Sequence, residues 1–130
     1  MEFLTGEVIR ARIKGVPFLF HYGIIIHDNG QTYVLHNPRD EQPTIDTLED
    51  FFQTRYFEKS FGQLSDLTDR ELLDRFSSLE HKSYSYTSFN CEDFINSMIG
   101  HFKFQSGKLQ LFAVILIVLI LIFVVVKRLK

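Results

Sequence analysis

Hydrophobic and polar positions change period several times along the 130 residues, and each change marks an element. Glu7–Ile13 (EVIRARI) carries a short strand-type pattern that Gly15, Val16 and Pro17 break. Residues 18–27 (FLFHYGIIIH) are rich in aromatic and β-branched side chains, and Asp28-Asn29-Gly30 separates them from a second such run at 32–36. That spacing predicts a hairpin, with His21 and His36 towards the open ends of neighbouring strands. Residues 37–43 (NPRDEQP) read as a loop and 44–52 as a short helix. Thr68 and Glu71 form a capping box ahead of Leu72, Leu73, Phe76 and Leu79, which recur at helical spacing. A short strand is expected at 84–87. Asn90, with Asp93 three residues on, caps a helix from Cys91 to about Ile99 that Gly100 ends.

The pattern then changes outright. From Leu109 to Val126 every residue is uncharged and nearly all are apolar, so the chain divides at about Phe104 into a head (1–104) and a C-terminal tail (105–130). Eighteen helical residues span roughly 27 Å, close to the thickness of a hydrocarbon core. No polar residue recurs at helical spacing, as it would in an amphipathic core helix. A single transmembrane anchor is expected, with Lys108 at one end and Lys127, Arg128 and Lys130 at the other. The expected fold class is α+β: a small antiparallel sheet with packed helices, plus this transmembrane helix.

Charge narrows the partners. All sixteen Asp and Glu residues lie before Lys103, against nine Lys and Arg in the same stretch, a net charge of −7. Such a head repels nucleic acid and anionic lipid through its overall charge, which leaves membrane contact to the tail. The N-terminus MEFLTGEVIR has neither the basic nor the apolar region of a secretory signal, and a cytosolic head is expected. The basic C-terminal end, taken alone, favours the opposite orientation.

Cys91 is the single cysteine, so no internal disulfide forms and a reducing compartment fits. At the first position of a helix it would face unpaired N–H groups and the positive end of the dipole, both of which favour the nucleophilic thiolate. His21 or His36 could take its proton and return it to a leaving group. The spacing supports another reading equally: Cys91, Phe94, Ile95, Met98 and Ile99 make an ordinary apolar helix face, with Cys91 a small core residue. A zinc site from His21, His36 and Cys91 lacks any close ligand pair. Phe51, Phe52, Tyr56, Phe57 and Phe61 are read as core. His27, His81 and His101 receive no role.

Two strings change the balance. HYGIIIHDNGQTYVLHN (21–37) and FNCEDF (89–94) together resemble the lecithin retinol acyltransferase-like family, whose fold is a circularly permuted papain type. The family pattern is an H-(W/Y)-(A/G)-I strand, a turn, a strand ending in a second histidine, and an N-C-E-H-F motif. His21-Tyr22-Gly23-Ile24, His36, and Asn90-Cys91-Glu92 with Phe94 match it in order. The stretch IDTLEDFF (45–52) and residues 86–90 also look like the family, so the resemblance covers roughly residues 6–100. It implies Cys91 as nucleophile, His21 as general base and acid, and His36 as the group that orients or polarises His21. Asp93 stands where the family has a second histidine, and the turn between the histidines is longer than in the animal phospholipid-acting members.

The implied activity is thiol-dependent phospholipid acyl transfer or phospholipase A-type hydrolysis through an acyl-cysteine thioester. A glycerophospholipid is the substrate, and no cofactor, metal or nucleic acid takes part. Tethering raises the local concentration of a lipid substrate. Two other readings remain: a permuted papain-like cysteine peptidase or isopeptidase, against which Glu92 argues because that family resembles N-C-N, and a non-catalytic membrane-tethered adaptor.

Overall fold

Asn29 (φ 49°) and Gly30 (φ 78°) both take left-handed conformations in the computed structural model, which describes residues 2–16, 19–38, 41–85, 90–100 and 107–129. Two successive residues of that kind make the turn whose twist matches a hairpin. They join β2 (Phe20–Asp28) to β3 (Gln31–His36), paired from Asp28 with Gln31 to Gly23 with His36. β1 (Glu7–Ile13) pairs antiparallel on the other side of β2. The fold is α+β, with a five-stranded antiparallel sheet in the order β4-β3-β2-β1-β5 and helices packed on it.

The two edge strands depart from the expected elements. Residues 44–52 are not one helix: Thr44–Thr47 is strand β4, paired with β3, and Leu48–Gln53 is helix α1. Thr47 divides them, because its side chain accepts from the Asp50 N–H as an N-cap while its backbone stays extended. Arg55–Gln63 forms β5 against β1. Its register shifts between Arg10 and Ala11 and between Glu7 and Ile9, so no clean two-residue period runs through it. Phe51 is fully buried, but Tyr56 and Phe57 are exposed, contrary to a core reading of the whole aromatic run.

Helix α2 (Asp69–Leu79) carries the expected capping box, and α3 (Cys91–Ile99) begins at Asn90 and ends at Gly100. In the strand expected at 84–87, Ser85 forms an isolated bridge and residues 86 and 87 lie outside the described residues. So do residues 86–89 of the approach to Cys91, including Phe89 of the motif, and His101. Both faces of the sheet are buried. Tyr22, Ile24, Ile26 and Leu35 point to one side and pack against α2 and α3; Ile9, Ala11, Ile25 and Val34 point to the other and pack against Phe51 of α1.

Helix α4 (Gly107–Leu129) has 23 residues and a length of about 34 Å. Its stretch Phe112–Leu129 is exposed throughout and is long and apolar enough to cross a membrane.

Candidate active site

The hairpin register decides which way the histidines point. Gly23 lies opposite His36, so His21, two residues earlier on β2, shares that face and stands diagonal to His36. Gly23 keeps the space open, since a Cβ there would collide with Val34 Cγ1. The imidazoles meet with His21 Nε2 and His36 Nδ1 2.8 Å apart. His36 Nε2 lies 2.6 Å from Asp46 Oδ2 on β4. Phe51 packs against both rings, near-parallel to His21 and edge-on to His36.

This chain sets the tautomers. A carboxylate only accepts, so His36 donates its Nε2–H to Asp46, and its Nδ1, carrying a lone pair, accepts the Nε2–H of His21. That leaves Nδ1 of His21 as the basic lone pair, and the hydrogen bond His21 makes among the described residues runs through Nε2. Burial holds both imidazoles neutral. His21 is pushed well below 6.5 by desolvation, with the adjoining His36 ring and the Arg55 charge adding to the shift. Desolvation lowers His36 to about 4, although its bond to Asp46 opposes this. The His36–Asp46 contact is thus a hydrogen bond donated by a neutral ring at pH 7 rather than an ion pair.

Cys91 sits at the first position of α3 and packs against the cluster on the other face of the sheet. The expected thiolate does not form at rest. Although the residue is only partly buried, desolvation of its thiol dominates and raises its pKa to about 11. Backbone N–H groups of Tyr22, Cys91 and Glu92 pull the other way, and the Glu92 charge pushes up. The bond from the Tyr22 N–H holds the sulfur against the peptide that joins His21 to Tyr22. No hydrogen bond links the thiol to either imidazole among the described residues. The fold therefore brings His21 and His36 together against Phe51 and brings Cys91, packed with the α2–α3 cluster, to the backbone beside His21.

Asp93, the departure from the family motif, has a role of its own. Its carboxylate accepts from the Asn90 N–H at 3.0 Å, while Asn90 Oδ1 accepts from Glu92 and Asp93, a reciprocal cap that fixes the start of α3.

Two polar residues of the site escaped sequence reasoning. Asp46 lay inside the expected helix, and only the four-residue alternation TIDT pointed to a strand. Arg55 at the start of β5 stacks 4.7 Å above Phe51 and donates to the Phe51 carbonyl at 3.2 Å. Burial lowers its pKa, while the charges of Asp46, Glu41 and Cys91 raise it. Nothing in its sequence neighbourhood marks it. Among the described residues no group of three or more His, Cys, Asp and Glu is disposed to hold a metal. A surface hollow lined by Gln31, Thr32, Leu48 and Phe52 lies at the turn end of the hairpin, away from His36.

Set against known protein families, curated proteins and solved structures, the chain has no match.

Proposed function

We propose that the chain is a cysteine-nucleophile acyltransferase or phospholipase A-type hydrolase with a permuted papain-like head, related to the lecithin retinol acyltransferase-like enzymes and anchored in a membrane by α4. The observation that carries this reading is the chain Asp46–His36–His21, which ends in the basic Nδ1 of His21 next to the peptide that holds the thiol. A buried polar relay of that kind has a cost unless every member is satisfied, and it leaves one basic atom for use.

In the proposed reaction His21 Nδ1 takes the Cys91 proton as the sulfur attacks an ester carbonyl of a glycerophospholipid. Collapse of the adduct expels the lysophospholipid alkoxide, which receives that proton from His21, and leaves the acyl group on Cys91 as a thioester. Water or an acceptor alcohol or amine, giving its proton to His21, then takes the acyl group and releases the thiolate, which is reprotonated. His36 and Asp46 hold His21 in the tautomer this needs. The N–H groups of Cys91 and Glu92, already directed at the sulfur, are suited to stabilise negative charge there.

One observation favours the adaptor reading instead: the thiol packs with one apolar cluster while the imidazoles lie against Phe51 on the other. Intact-mass spectrometry of the full chain in detergent–phospholipid micelles separates the two. An acyl-sized adduct that hydroxylamine removes and Cys91→Ala lacks supports the enzyme. No adduct and no lysophospholipid from the folded wild-type chain supports the adaptor.

A further inference from the structure

The head is acidic as a whole, yet its basic residues are not spread evenly. Five of the nine before Lys103, Arg10, Arg12, Lys14, Arg55 and Lys59, lie on β1, on β5 or at the turn that follows β1, and all but Arg55, which stacks on Phe51, bear on one surface. The sheet register sets several of them among aromatic rings. Arg12 is flanked across the strands by Phe20 on β2 and Tyr56 on β5, in a row on one face. The next row is Tyr22, Arg10 and Lys59. Lys14 Nζ stands 4.9 Å from the Tyr56 ring, and the Arg10 guanidinium 4.7 Å from that of Phe20. Phe20, Tyr56 and the aliphatic Leu19 in the β1–β2 connection are exposed, at 42%, 54% and 41%. Glu58, paired with Arg10, and Glu92, whose charge acts on Tyr22, are acids beside these rows. The same face carries Tyr22, whose backbone N–H meets the Cys91 sulfur, so these rows run outward from the thiol.

We infer that this surface, formed by Arg12, Lys14, Leu19, Phe20, Tyr56 and Lys59, docks the head on an anionic bilayer and turns the Cys91 end of the sheet towards it. Cations interleaved with aromatic and aliphatic side chains match an interface where anionic head groups lie over hydrocarbon. Exposed Leu19 would gain nothing from a nucleic acid. The chain also carries its own means of reaching a bilayer, a C-terminal helix long and apolar enough to cross one. The remaining acids of the head then act as a counterweight, because an anionic surface repels every other orientation. The inference is independent of the chemistry at Cys91 and holds equally for an enzyme or an adaptor.

The test uses the full chain reconstituted in phosphatidylcholine vesicles, alone or with about one third phosphatidylserine. A membrane-impermeant amine-acylating reagent modifies outward-facing heads, and the rates at Lys14 and Lys59 are read peptide by peptide, with exposed Lys82 as internal reference. Docking slows Lys14 and Lys59 about fivefold on the anionic vesicles while Lys82 is unchanged, and high salt restores them. Arg12→Glu, a substitution at an exposed position, removes that protection at Lys59. Equal rates on both vesicles, or protection that survives Arg12→Glu, overturn the inference. So does protection by RNA or an acidic protein with none from anionic lipid, which would assign the surface to that partner.

Discussion

The two faces of the sheet solve different problems. Towards α2 and α3 the interior is almost entirely apolar, and Cys91 joins it as one more small side chain. Towards α1, two imidazoles share the interior with Phe51, and the His36 ring meets the Asp46 carboxylate. The first face needs only close packing. The second is tolerable only because each polar atom hands its hydrogen bond to the next, which fixes the tautomers, while burial holds His21 and His36 neutral. The face that is harder to build is the one that carries the base in the proposed mechanism, and the Tyr22 backbone N–H of β2 is what brings the sulfur beside it.

That contrast can be broken from either side. His21→Ala is expected to slow acylation of Cys91 by about 10²–10⁴-fold, the usual worth of a general base, measured by single-turnover mass spectrometry. Phe94→Ala, on the apolar face, is expected to lower stability by about 3–5 kcal/mol in urea titration. Finding the two effects exchanged would mean that the relay is structural and that the contrast is wrong.

The pH dependence sharpens it. With the thiol near 11 and His21 well below 6.5, both groups are neutral at rest. The rate of iodoacetamide alkylation should therefore rise about tenfold per pH unit from neutrality and level off near the thiol's own pKa. A plateau reached by pH 7 would reveal a thiolate–imidazolium pair instead. Stability should follow the other face. His36 binds its proton at about 4 when folded and near 6.5 when unfolded, so between those values the unfolded chain holds more protons. Stability is then lost as pH falls from 6.5 towards 4, and urea midpoints across that window should show it.

The smallest effect is expected at Asp46. Asp46→Asn keeps an oxygen that accepts from His36 Nε2, so acylation should fall by about tenfold or less, well short of the loss in His21→Ala. A loss equal to that of His21→Ala would show that the carboxylate charge, and not the tautomer it selects, is what the relay supplies.

Much of this was legible without coordinates, but selectively. The hairpin, both capping boxes and the apolar tail are written in local signals: D-N-G, T-x-x-E, N-x-x-D and an unbroken apolar run. His21 and His36 could be paired in advance because a tight turn fixes the register of its own strands. Asp93 could be placed on the cap by its spacing from Asn90, although the family motif has a histidine there.

What only the tertiary structure decided depends on partners distant in sequence. β4 and β5 exist because β3 and β1 offer edges to pair with, and their short or bulged patterns carry no period of their own. Asp46 reaches His36 through that pairing, and Arg55 is set over Phe51 where β5 begins. The thiol pKa was decided in the same way: the helix terminus that favours a thiolate is a local feature, but the desolvation that outweighs it comes from the whole packed face. Local sequence determines turns, caps and the membrane-length helix because their hydrogen bonds close within a few residues; burial and cross-strand neighbours are properties of the assembled sheet.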